Sequence, residues 1–221
     1  MPGHGRAWGT WAVGLVLLSA GLLSAQAAEL PPEAHGLRLG MSLPEARRVF
    51  PQLRELGRGF VESAREGEGP VLYYAGDRKT AGFHDLTLSG PDRVCAITLA
   101  DEGLQSVDAA RAHVERLRRL WGGGFEAHAL VKRRPIRLPG EPEEKRPALV
   151  WRLPDETQAV LWFDANAEAA AQGRYSRAIL NVISLASSCD RANRFAKPEL
   201  ADPGAEADAV PRFLRVVTGG R

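Results

Sequence analysis

The residues of this chain best suited to chemistry are its five histidines and two cysteines, and neither set has the spacing of a catalytic site. His84-Asp85 is the one adjacent base and acid that invites a metal or general acid–base role. A metal site needs several ligands drawn together at short spacing. No Cys, His or carboxylate cluster of that kind surrounds His84, which at the start of an expected strand reads as a surface residue. His113 falls beside the buried stripe of an expected helix and reads as helix flank; His128 follows a glycine run and reads as loop. The chain holds no G-x-S-x-G elbow, no G-x-x-x-x-G-K phosphate loop and no H-E-x-x-H. Gly122-Gly123-Gly124 could cradle an anion, but it follows a helix, and phosphate loops precede one. It therefore reads as a helix stop. No catalytic residue, metal ligand or cofactor is assigned.

Cys95 alternates with Ile97 and Leu99 and so points into a core, which argues against a nucleophile, since a reactive thiolate needs access. Cys189 has the parity of Ile183 and Leu185. An exported chain with two cysteines is expected to join them, two separate thiols being the alternative. Such a bridge closes a loop of about 94 residues, for which chain entropy gives roughly 4 to 5 kcal/mol.

Binding residues are easier to nominate. Trp162, Val160 and Gln158 alternate against Leu161 and Phe163, which places them on the outer surface of a sheet, with Thr98 and Ser184 expected on that same surface. An exposed Trp there is a contact anchor, because it buries much area with little entropy loss; the alternative is that Trp162 packs under a long loop. Lys132, Arg133 and Arg134 open a basic run that the acidic stretch Glu141 to Glu144 follows. It reads as a self-neutralising loop or as a recognition loop for an acidic partner surface. The run lacks interleaved aromatics, and 29 basic against 27 acidic residues leave a net charge of only +2, so nucleic acid and an anionic membrane surface are not expected.

The elements that must position these residues begin after an export signal. Arg6, the apolar stretch Trp8 to Leu23 and the small-x-small triplet Ala25-Gln26-Ala27 are expected to be a cleavable signal peptide spanning 1–27. The apolar run is about 16 residues, short of the ~20 of a spanning helix, so no membrane span is expected after cleavage. No cysteine near the cut offers a lipid anchor, which leaves a periplasmic or secreted protein. At 44% hydrophobic and 25% charged, the remainder can bury a real core.

Ser42 with Glu45 forms a capping box, and Leu43, Ala46 and Phe50 share one helical face up to Pro51. Short strands are expected at Val71 to Tyr74, Asp85 to Leu88 and Arg93 to Ala100. Ser106 then precedes a second amphipathic helix with Val107, Ala110, Val114, Leu117 and Trp121 as its buried stripe. Strands are expected again at Leu149 to Leu153, Gln158 to Phe163 and Ala178 to Ala186. Ser42 to Arg47 aligns with Ser106 to Arg111, and Ala96 to Ala100 with Val182 to Ala186; Lys132 to Pro147 and Ala165 to Ser176 are the expected insertions. The expected fold is therefore α+β: two tandem helix-then-antiparallel-meander modules, 28–104 and 105–189, with helices on one sheet face. From Asp190 the apolar periodicity stops, and 190–221 is expected to be a flexible tail carrying a small apolar island, Phe213 to Val217.

Leu39-Gly40-Met41-Ser42 followed by Glu45 is similar to the G-M-S/T-x-x-E helix start of small bacterial envelope modules, the SmpA/BamE-type outer-membrane-assembly proteins and the tandem β-lactamase-inhibitor-protein-like domains. The resemblance covers the helix start and the element order. It implies a helical segment packed on a small antiparallel sheet, and protein binding rather than catalysis. The chain departs from the first type in lacking the lipid-bearing cysteine and from the second in having only one possible disulfide, and no inhibitory residue carries over. The expected role is an exported, non-catalytic module that docks another envelope or secreted protein through its sheet. A carrier of a lipid or small ligand between sheet and helices, or an enzyme of another type, are the alternatives. Oligomeric state is not legible.

Overall fold

The computed structural model describes residues 28–58, 71–75, 85–90, 93–131, 144–190, 198–205 and 208–220. The expected signal peptide, His84 and the basic residues Lys132, Arg133 and Arg134 lie outside them.

The first helix, α1 (Leu43–Val49), starts where the capping box requires. The Ser42 hydroxyl accepts from the Glu45 amide at 3.3 Å, and the Glu45 carboxylate accepts in return from the Ser42 amide at 2.9 Å. Two otherwise orphaned amide donors are thereby satisfied. The helix is short because Pro51 follows directly on Phe50 and cannot continue it.

Four strands follow as β1 (Arg54–Arg58), β2 (Val71–Ala75), β3 (Asp85–Gly90) and β4 (Ala96–Ser106), paired antiparallel in sequence order. β4 runs without a break into α2 (Val107–Trp121), whose N-cap Ser106 accepts from the Ala109 amide. Gly122, at φ 84°, ends α2 in a backbone conformation that a side chain would disfavour. Then come β5 (Phe125–Val131), β6 (Lys145–Leu153), β7 (Thr157–Phe163), the short α3 (Ala167–Ala171) and β8 (Arg174–Ser184). With a short β9 (Leu200–Ala201) near the C-terminus, the described strands form one nine-stranded sheet, in the order β1-β2-β3-β4-β8-β7-β6-β5-β9. The two meanders thus meet edge to edge through their last strands, β4 and β8, from Ala96 opposite Ile183 to Ser106 opposite Arg174.

Strand alternation sorts the side chains of this sheet into two layers. Ile97, Leu99, Leu149, Trp151, Leu161, Phe163, Leu180 and Val182 join Leu43 and Ala46 of α1 and Ala110, Val114 and Leu117 of α2 in the main core. Leu130, Ala148, Val150 and Val160 form a smaller cluster on the opposite face, with Trp162 and Leu200 packed against it. No helical residue belongs to that second cluster, so the described helices pack on one face of an α+β fold.

Cys95 and Cys189 are bonded, with their Cα atoms 5.5 Å apart, and both are buried. The bridge ties the residue before β4 to a 3₁₀ turn just after β8, at the seam between the meanders. No described helix is long and apolar enough to cross a membrane.

The C-terminal segment corrects the expectation of a flexible 190–221 tail. β9 (Leu200–Ala201) pairs with β5, and a fourth helix, α4 (Ala209–Thr218), lies over β5 and β6 between α2 and α3. Val210, Phe213, Leu214 and Val217 are spaced i, i+3, i+4, i+7, and all four are buried in the main core. Pro211 sits within the first helical turn, where its missing N–H is no loss. Of the expected insertions, Lys145 to Pro147 belong to β6, residues 132–143 lie outside the described residues, and Ala167 to Ala171 form α3, capped by Asn166.

Candidate functional site

The helix-free face is built from rows of side chains that face one another across strands. In one row Thr98 stands opposite Asn181, Asn181 opposite Val160, Val160 opposite Val150, and Val150 opposite Glu126. Ile179, Trp162, Ala148 and His128 form the next row, and Ala96, Ile183, Gln158 and Arg152 the row on the other side. The structure therefore brings Trp162, Val160, Gln158 and Thr98 onto one face. Ser184 is a correction: it pairs with Thr157, which has the parity of the core residues Ala159 and Leu161. Asn181 occupies the position between Thr98 and Val160 instead.

The expectation of an open face is corrected too. Val160 and Gln158 are buried, and Trp162, Thr98 and Asn181 are only partly exposed. Val160 is wedged in the second apolar cluster with Val150, Ala148 and Leu130, so it serves packing. Trp162 and Gln158 each carry an unmet polar atom: the Trp162 Nε1–H and the Gln158 Oε1 are buried without a hydrogen-bond partner among the described residues. Four residues apart on one strand, they lie ~13 Å from each other.

Paired charges flank the apolar centre. At one end Arg152 donates to both carboxylate oxygens of Glu126, at 3.0 and 3.2 Å, and His128 lies 3.1 Å from the same carboxylate. The hydrogen bonds from Arg152, then from His128, hold the Glu126 carboxyl down to about 2. At the other end the buried Arg146 donates to Asp164 at 2.9 Å and to Glu144, and Arg177 donates to Asp164 at 3.1 Å. An apolar centre within a polar rim is the usual anatomy of a protein contact surface.

A second polar group lies on the helix side and joins Asp101, to which the sequence reading assigned no role, to His113, which it read as helix flank and which is buried instead. His113 and Asp101 are both buried, with Nε2 2.9 Å from Oδ2. Gln105 donates to the other Asp101 oxygen at 3.1 Å. Burial pushes the His113 imidazole below its ordinary value, although Asp101 pulls the other way. The nearby Tyr175 hydroxyl is pushed well above the ordinary tyrosine range by burial and then by the Asp101 charge. The signal for Asp101 was present in the sequence, since it continues the inward alternation of Ile97 and Leu99. His113 likewise stands on the α2 face of Ala110, Val114 and Leu117. Shut between helix and sheet, the pair lacks the access that general acid–base catalysis needs. Among the described residues no group of three or more His, Cys, Asp or Glu could hold a metal ion.

A groove of about 840 Å³ runs along the segment after residue 28, lined among others by Leu30, Pro32, Leu37, Leu120, Trp121 and Leu153. The Trp121 indole donates to the Glu29 carbonyl at 2.6 Å and fixes one wall. Trp151, Phe163, Tyr175 and Phe213 are fully buried between sheet and helices.

Comparison with known proteins brings no match, whether to a family model, to a curated protein or to a solved structure.

Proposed function

We propose that this chain is an exported, non-catalytic protein-binding module of the bacterial cell envelope that docks its partner on the helix-free face of the sheet. The observation that carries the reading is the anatomy of that face, where the partly exposed Trp162 packs on the apolar Ala148, Val150 and Val160 within a rim of paired charges. Trp162, Thr98 and Asn181 are the accessible part of the surface, and the Glu126–Arg152–His128 and Arg146–Asp164–Arg177 groups are its rim. The order helix–meander, helix–meander supports the reading of residues 28–104 and 105–189 as tandem modules akin to the SmpA/BamE and β-lactamase-inhibitor-protein types. An export signal over 1–27 and a disulfide, a bond that persists in oxidising compartments, support a periplasmic or secreted location.

Asn181→Arg tests the surface, because Asn181 is partly exposed at its centre. The variant is expected to fold with an unchanged melting temperature and to lose partner capture; full capture by the folded variant would refute the face assignment. The carrier reading draws on a different observation, the groove of mixed polar and apolar lining at Glu29, Leu30, Arg38 and Trp121, whose size suits a small ligand. Native mass spectrometry of freshly purified protein decides it: a co-purified lipid or metabolite supports the carrier, and bare protein mass removes it.

A further inference from the structure

β9 covers only part of the outer edge of β5. It pairs at two positions, Ala129 with Ala201 and Leu130 with Leu200, and beyond them the Val131 amide donates to the Glu199 carbonyl at 2.9 Å. That bond fixes the parity of the strand: the amides and carbonyls of Val131, Ala129, Ala127 and Phe125 point away from β6, and those of Leu130, His128 and Glu126 point toward it. Continued in register, β9 would set Pro203 opposite Ala127, and proline has no amide to donate. The chain turns instead: the Gly204 amide donates to the Asp202 side chain at 2.7 Å, and Lys145 Nζ donates to the Asp202 carbonyl at 3.0 Å. The Phe125 amide is taken locally by the Gly123 carbonyl at 3.1 Å. The Ala127 amide and the Ala127 and Phe125 carbonyls therefore stand on the edge with no backbone partner among the described residues. Glu126 and Ala127 are exposed, so this stretch is open to solvent.

We propose that the edge of β5 from Phe125 to His128 is a strand-addition site, where an extended segment of the docked partner prolongs the sheet in line with β9. The inference rests on the docking reading for its partner. The edge is continuous with the helix-free face, because Glu126 and His128 end the rows that hold Val160 and Trp162. Strand alternation gives the added segment its chemistry. Its residue opposite Ala127 lies on the helix side, diagonal to Phe125, whose ring packs on Trp151 at 5.3 Å. The small, exposed Ala127 suits a branched aliphatic side chain there. The residues before and after it stand beside Glu126 and His128 on the other face and are polar. The segment therefore reads polar–aliphatic–polar. A second copy of this chain does not fit: in an antiparallel pairing centred on Ala127, Phe125 of one copy would stand opposite Ala129 of the other, where Ala201 already pairs.

The probe is a short peptide of alternating threonine and valine, fused to the C-terminus of the full chain through a flexible glycine–serine linker. Such a linker holds it at about millimolar effective concentration, so a silent result counts against the site and not against the peptide's affinity. Hydrogen exchange read by NMR is expected to show the Ala127 amide slowed by about tenfold or more relative to the chain without the peptide, with the α2 amides unchanged. Ala127→Pro removes the outward amide and no bond to β6, so it is expected to fold with a similar melting temperature and to lose the pairing. If that variant fails to fold, the Ala127 amide of the unaltered fusion decides alone. An Ala127 amide that exchanges equally fast with and without the peptide would overturn the proposal. Partner capture separates this inference from the docking reading. Capture lost in Asn181→Arg but kept in Ala127→Pro would overturn strand addition and leave the face assignment standing.

Discussion

The ring of Phe213 in α4 lies 5.3 Å, centroid to centroid, from that of Phe163 in β7, and Tyr175 of β8 stands edge-on to both. Three aromatic rings from the C-terminal helix and two central strands thus make one packed unit over the second meander. Tilted and edge-to-face rings at such distances add stabilisation beyond their buried area.

Phe213→Ala is accordingly expected to lower stability by about 3–5 kcal/mol, the usual cost of emptying a buried aromatic site. Urea denaturation followed by tryptophan fluorescence checks it. Removal of everything after residue 207 deletes Val210, Leu214 and Val217 from the core as well and is expected to abolish a cooperative transition. A truncated chain that melts like the intact one would show that α4 is dispensable.

The Cys95–Cys189 bond closes a long loop and pins the seam between β4 and β8. Replacing both cysteines by serine is expected to cost about 2–5 kcal/mol. Thiol labelling of the denatured, unreduced protein is expected to find no free thiol. Two labelled thiols in the exported protein would contradict the bond.

What the sequence discloses, and what it hides, follows from the range of the interactions. The start of α1 is legible because Ser42 and Glu45 are local partners, and α2 because Val107, Ala110, Val114, Leu117 and Trp121 repeat at helical spacing over about four turns. The alternation of Trp162, Val160 and Gln158 against Leu161 and Phe163 is legible within one strand. The face of Ser184 is not, because cross-strand register is a long-range quantity: only the pairing of Thr157 with Ser184, and of Val160 with Asn181, tells which residue of β8 shares the Trp162 face. The Phe213 to Val217 island hides its helix because the Ala, Pro, Asp and Glu around it interrupt the apolar pattern. The spacing of Val210, Phe213, Leu214 and Val217 is there, but its meaning depends on a core supplied by β5, β6 and α2. Asp101 and His113 each show inward parity; that they meet follows from the fold of α2 back onto β4, which neither segment encodes alone.

Site-specific photocrosslinking measures the docking claim most directly. A photoreactive residue in place of Trp162 probes the helix-free face, and the same group in place of Arg119, exposed on the outer side of α2, serves as the control. The predicted result is one dominant protein adduct from the envelope fraction at position 162, absent at position 119 and lost when Asn181→Arg is added. The same adducts at both positions, or a lipid or metabolite adduct alone at position 162, would contradict docking through this face.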